Sequence, residues 1–163
     1  MCIAAANYLI DETNRYNNAP TTKQRVSMTC KRLQKLLYIS DIEYMRKNKG
    51  TSMFRDDYYA WPSGPVIPSV YSKFMIYQDG HMVSIKGDFT PITPLMKECL
   101  DSVLECTWNM DTWDLVELSH KNDGTEICPW KQFYNENDPN HEQIIRKDAI
   151  YAFYQKRNIF EIK

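Results

Sequence analysis

Three histidines, His81, His120 and His141, and five cysteines, Cys2, Cys30, Cys99, Cys106 and Cys128, are the side chains here best suited to ligate a metal or carry a covalent step. Their spacing supports neither use. The histidines lie far apart and form no H-E-x-x-H, and the cysteines are odd in number with no C-x-x-C pair, so no metal and no cofactor is expected. Reduced thiols of this kind suit a cytoplasmic protein. His120, in LSHKNDGTEICPW, stands where a helix gives way to a polar loop, and it can act as a base only if an oriented thiol or carboxylate approaches. Cys128 is at least as readable as part of a packed turn with Pro129 and Trp130. Asp101 and Glu105 share a helix face by their four-residue spacing, whereas the side chains of Asp56 and Asp57 diverge, and neither pair belongs to a recurrent acidic helix motif. The five glycines make no P-loop or dinucleotide fingerprint. The expectation is a protein that is not an enzyme, with an enzyme using His120 as one alternative.

The formal net charge of -1 excludes the strongly basic composition of a general nucleic-acid binder. Lys31, Arg32 and Lys35 form a local basic cluster, but Asp41 and Glu43 follow within two turns and no helix-turn-helix boundary organises a reading helix. The cluster reads as a solvated outer helix face, open to a protein partner; nucleic acid is an unlikely ligand. No apolar run is long enough for a membrane span, and MCIAAANYLI reads as a first helix rather than a signal peptide.

The elements that must position these groups are mostly helices. Ile3, Ala6, Leu9 and Ile10 mark a short first helix, followed by a polar connection near Asn17 to Thr22. MTCKRLQKLLYISDIEYMRKNKG is a longer helix with Thr29 as its cap, Cys30, Leu33, Leu37 and Tyr44 facing inward, and Lys31, Arg32, Gln34 and Lys35 facing out. TSMFRDDYYAW is a loop ending in a short extended piece. In WPSGPVIPSVY, three prolines restrict the backbone and Gly64 permits a turn, giving a rigid joint with Trp61 and Tyr71 packed beneath it. A helix follows, opened by Pro68 and ended by Asp79-Gly80. HMVSIKGDF suggests one or two strands. Helices are then expected after Thr93-Pro94 and after Asp111 or Thr112, the latter carrying Trp113, Val116 and Leu118. KNDGTEICPWKQFYNEND is a long polar connection, and a last helix runs from about Pro139 to Lys156, burying Ile145, Ala149, Ala152 and Phe153. The fold class is mainly α: one compact domain spanning the chain, with five or six helices and a short β hairpin or extended insertion.

Three ordered segments resemble the Panacea domain, the SocA-like antitoxin or phage-associated protein family: LQKLLY at Leu33 to Tyr38, AWPSGPV at Ala60 to Val66 leading to Tyr71, and His120 before Pro129-Trp130. The resemblance spans most of the chain. It implies a mostly helical domain that neutralises a cognate protein toxin of a bacterial or phage toxin-antitoxin system. One related arrangement presents the toxin to a protease, so a protease is implied as a second partner. A nucleic-acid-binding or phage host-interaction module is the other reading. The residues carried over as motif or protein-binding positions are Gln34, Lys35, Tyr38, Trp61, Gly64, Pro65, Val66, Tyr71, His120, Pro129 and Trp130. Tyr59 departs from the family pattern, because an acidic residue is expected before Ala60; it is added as a place for partner-specific change.

Overall fold

The computed structural model describes residues 2–77, 81–87 and 89–162. Its centre is a helix whose surroundings the sequence disguises. α2 (Cys30–Lys47) opens with the Thr29 hydroxyl accepting from the Arg32 N–H, and every residue from Arg32 to Ile42 is buried. A helix enclosed on all sides belongs at the middle of a domain. α1 (Cys2–Asn17), α3 (Pro68–Phe74), α4 (Pro94–Thr107), α5 (Thr112–His120) and α7 (Lys147–Tyr154) all pack against it. The short α6 (Pro129–Phe133) bridges α5 and α7.

Among the described residues there are seven α-helices and one 3-10 turn, Ile159–Glu161, where five or six helices were expected. The additional helix is α6, five residues inside the segment read as a polar connection, opened by Pro129. Helix boundaries also differ. α1 continues through the polar residues to Asn17, since only its inner stripe of Ala5, Ala6, Leu9, Ile10 and Thr13 needs to be buried. α7 starts only at Lys147 and buries Ile150, Phe153 and Tyr154, leaving Ala152 exposed.

The residues ahead of α7 serve a sheet instead. β1 (Tyr58–Trp61) pairs with β2 (Gly64–Val66) across the two-residue turn Pro62-Ser63, and its other edge pairs with β3 (Ile144–Ile145), both antiparallel. The sheet lies where only a short extended piece and a rigid joint were expected, and a third strand covers the hairpin's edge. No strand forms within residues 81–87, contrary to expectation. Asn7 of α1 takes both backbone groups of Ile85, and Asn14 donates to the Met82 carbonyl, so side chains satisfy that backbone where a ladder would otherwise have done so. The helix opened by Pro68 ends at Phe74, ahead of the expected end at Asp79-Gly80, which itself lies outside the described residues.

Candidate functional site: a clamped hairpin and the face it presents

The polar side chains of α2 hold the β1–β2 hairpin from below. Gln34 reaches the residue after β2: its Oε1 accepts from the Ile67 N–H at 2.8 Å, and its Nε2 faces the Ile67 carbonyl at 3.5 Å. Both backbone groups of one residue thus meet one amide. The next residue, Lys35, donates from Nζ to the Pro65 carbonyl at 2.8 Å. Both side chains are buried, Lys35 with no exposure at all. These bonds decide the arrangement, because a buried polar group left without a partner costs about 1–3 kcal/mol.

Burial corrects the reading of this helix as a solvated basic face. Arg32, Gln34 and Lys35 point inward, and Lys31 alone of the cluster remains half-exposed. Arg32 donates to the carbonyls of Thr107 and Met110, at the end of α4, at 2.8 and 2.6 Å. Charged side chains of this length cross a core only when a backbone carbonyl waits at the far end, and periodicity cannot reveal those acceptors. Tyr38 is likewise buried, edge-on to Tyr58 at 5.1 Å.

Gly64 stands where hairpin, α2 and α5 converge. Its φ is +98°, and a Cβ placed there would lie 2.8 Å from Ser119 Oγ and 2.9 Å from Lys35 Cε and Nζ. Pro65 and Val66 are buried beside it. Ser119 precedes His120, so the third motif enters from α5. His120 stacks on Trp130 with ring centroids 3.6 Å apart, and the Trp130 indole N–H donates to the Trp61 carbonyl at 2.8 Å. Tyr134 continues the stack at 4.7 Å from Trp130. Pro129 is buried at the first turn of α6. The three motifs, far apart in the chain, therefore form one continuous support.

Electrostatics within the support follow from burial. His120 is pushed down to about 4, by burial first and by Lys35 and Lys131 after it. It is neutral near pH 7, and its Nε2 has no hydrogen-bond partner among the described residues. Burial raises the Cys128 thiol, which keeps it protonated. Among the described residues no three His, Cys, Asp or Glu side chains come close enough to hold a metal.

Lys35 is held down at about 7, by burial first and then by Lys31. Its folded value lies below its unfolded one, so between about pH 7 and pH 10 the unfolded chain binds more protons and the lysine's contribution to stability rises with pH. The thiols of Cys2, Cys30 and Cys99, raised above their usual value, oppose this in the alkaline range. The difference between the wild type and Lys35→Met isolates the lysine. In urea titrations it should move by about 2 kcal/mol in favour of the wild type from pH 7 to pH 9; parallel pH profiles would contradict the assignment.

Above this support lies a partly exposed aromatic face. Trp61 and Tyr71 meet edge-to-face at 4.9 Å, both half-buried, and Met75 stands exposed one turn beyond Tyr71. Lys31 Nζ sits 4.2 Å over the ring of Trp113, which is 62% exposed. Trp113 was expected to help carry the buried face of its helix. The structure instead buries Leu115, Val116 and Leu118 and leaves Trp113 outside, in the first turn that Asp111 caps. A Trp in a first turn, out of step with the apolar stripe, is the signal that could have found it. Lys31, Gln34, Lys35, Trp61, Val66 and Tyr71 line a cleft of about 200 Å³ in this face. A larger cleft, about 440 Å³, lies between Tyr16 and Trp108 and contains none of the motif residues. Tyr59, in the middle strand of the sheet, is half-buried between Val66 and Ile144.

The family model described as antitoxin SocA-like, Panacea domain, matches residues 33–125, more than half of the chain. The chain belongs to this family. The match begins at the first residue of LQKLLY and includes the hairpin and His120; the α6 half of the support, Pro129 and Trp130, follows it. Searches of curated proteins and of solved structures returned no match. In this Panacea domain the matched motifs are mainly internal: they fix a hairpin, and the hairpin presents Trp61 against Tyr71 of α3. No helix among the described residues is long and apolar enough to cross a membrane.

Proposed function

We propose that this Panacea domain is an antitoxin that neutralises a cognate protein toxin by binding it directly through the face built from Lys31, Trp61, Tyr71 and Trp113. The observation that carries the reading is that face: partly exposed aromatics on a backbone fixed by buried hydrogen bonds, in a chain of an antitoxin family. Trp and Tyr are enriched where binding energy concentrates, and a preorganised surface loses little entropy on association. No covalent step is assigned to the domain. His120, neutral and stacked on Trp130, serves the support. The nucleic-acid reading loses its ground with Arg32 and Lys35, whose donors face internal carbonyls.

Co-expression with a growth-arresting product of a neighbouring gene is the direct test: growth should be restored and the two proteins should co-purify. Persistent arrest without association would overturn the pairing, and a phage host-interaction module would have no such neighbour. Pulse-chase of the toxin separates two modes of neutralisation. A long-lived toxin in the complex means occlusion, and antitoxin-dependent loss of the toxin means delivery to a protease.

Trp113→Ala should leave unfolding within about 0.5 kcal/mol of wild type, as expected at a solvated position. It should weaken toxin binding by at least about tenfold in calorimetry. Unchanged affinity would remove α5 from the face.

A further inference from the structure

The cleft of about 440 Å³ between Tyr16 and Trp108 combines an apolar lining with an acid and a base that do not meet. Buried Leu104 and the rings of Tyr16 and Trp108, edge-to-face at 5.5 Å, form the apolar lining. On α4 and its cap, Asp101, Glu105 and Trp108 share one face by their spacing. Asp101 is already engaged, since it accepts from the Tyr8 hydroxyl at 2.5 Å and from Lys97 Nζ at 3.0 Å. Glu105 is exposed and stands beside it. The connection between α1 and α2 brings Lys23, also exposed, to the same cleft. Its backbone is held on either side: the Thr22 hydroxyl donates to the Tyr16 carbonyl, and the Trp108 indole N–H donates to the Gln24 carbonyl at 3.2 Å. Among the described residues neither Lys23 nor Glu105 forms an ion pair, with each other or with any third group.

We infer that this cleft binds a free α-amino acid with a large apolar side chain, its ammonium meeting Glu105, its carboxylate meeting Lys23, and its side chain packing against Leu104, Tyr16 and Trp108. Size supports a small molecule, because about 440 Å³ lies within the ordinary range of such pockets. Charge selects the class. A ligand that carries both charges on neighbouring atoms can satisfy an acid and a base that line one cleft without reaching one another, whereas a simple amine or a simple acid leaves one of them unused. Inside a peptide chain those two charges are absent, so the ligand is the free amino acid.

The apolar lining supplies most of the affinity, since ion pairs at exposed positions contribute little. With its indole N–H given to Gln24, Trp108 offers the ligand only its ring. Tyr16 and Lys23 both precede residue 33, where the family match begins, so half of the site belongs to the part of this chain outside that match.

The test is a nuclear magnetic resonance titration of the full, ¹⁵N-labelled chain with L-phenylalanine. Three analogues serve as comparisons: phenethylamine lacks the carboxylate, N-acetyl-L-phenylalanine lacks the ammonium, and glycine lacks the side chain. Phenylalanine should shift the Trp108 indole N–H together with the Lys23, Gln24 and Glu105 amides, saturating at a dissociation constant on the order of 1 mM. Each analogue should bind at least about threefold more weakly. Glu105→Gln and Lys23→Gln, both exposed changes, should keep the wild-type urea midpoint and weaken phenylalanine by a similar factor. Glu105→Gln should leave the weaker binding of N-acetyl-L-phenylalanine unchanged, and Lys23→Gln that of phenethylamine. Either one-charge analogue binding as tightly as phenylalanine would overturn the inference, as would shifts confined to other surfaces, no saturable shift, or wild-type affinity in both variants. Glycine binding equally well would remove the aromatic lining from the site and overturn it too. Neither Lys23 nor Glu105 belongs to the proposed toxin-binding face, so this test and the co-expression test fail separately.

Discussion

Gly64→Ala should destabilise the domain by about 4 kcal/mol, enough to put much of the chain in the unfolded state if total stability is ordinary. Two penalties combine. A φ of +98° is one that side chains other than glycine rarely adopt, costing about 1–2 kcal/mol. The added methyl also meets Ser119 Oγ at 2.8 Å and the end of Lys35 at 2.9 Å. A lysine tip on a surface would swing aside. This one is fixed to the Pro65 carbonyl inside the core, and Ser119 Oγ donates to the Val116 carbonyl, so neither yields without losing a buried hydrogen bond. Overpacking of that kind costs a further 1–3 kcal/mol or so. Gly124→Ala is the internal control: φ is +56° and nothing lies within 4 Å of the new methyl, so about 1 kcal/mol is expected. Urea unfolding of the two variants side by side checks the claim. Equal losses would mean that the contact of α2, hairpin and α5 at Gly64 is looser than described. Because Trp61 sits opposite Gly64 in the hairpin, the Gly64 variant should also lose toxin binding in proportion to its unfolding.

What the sequence made legible follows from what periodicity and turn chemistry encode. The caps at Thr29, Thr93 and Asp111, the proline-opened α3 and α4, and the extended piece ending at Trp61 all stand where those residue types imply, whereas the pairing of that piece with Gly64–Val66 was not read from the proline-rich joint. The reading of α2 was right about its existence and wrong about its environment. Hydropathy treats Arg32, Gln34 and Lys35 as solvent-seeking, whereas each is matched to a carbonyl or amide contributed by residues thirty or more positions away. That matching is a tertiary property. β3 was missed for a related reason: two residues carry no detectable alternation, and Ile144 and Ile145 fit a helical stripe as well as they fit a strand. The family motifs singled out Gln34, Lys35 and Gly64 to Val66, but their order could not say that the helix grips the end of the hairpin. Only the hydrogen bonds from Gln34 to Ile67 and from Lys35 to Pro65 turn three matched segments into one device.

Arg32→Ala should cost about 4 kcal/mol, and its consequence for function should exceed that of most other core changes of equal cost. Arg32 ties α2 to the turn between α4 and α5, where its guanidinium takes the Met110 carbonyl and shares the Thr107 carbonyl with the Met110 N–H. A cation is well placed at a helix C-terminus, and Asp111 and Asp114 on the opening turn of α5 favour its charge while burial opposes it. Removing the side chain loses two charge-assisted hydrogen bonds, leaves the Met110 carbonyl without that donor and empties volume in the core, which together outweigh relief of the desolvation penalty. Arg32→Lys separates these contributions. It keeps the charge, reaches one carbonyl at most and should lose about half as much stability. The functional effect comes through position. Asp111 caps α5, Trp113 follows two residues later, and Lys31, the immediate neighbour of Arg32, lies over the Trp113 ring. With Arg32 gone, the start of α5 is released from α2 and the Lys31–Trp113 pair loses its fixed spacing. Hydrogen exchange should accordingly quicken first across α5, and toxin affinity should fall further than the remaining folded fraction explains. If exchange instead accelerates uniformly along the chain, Arg32 contributes to global stability alone and the aromatic face is held in place by the hairpin without it.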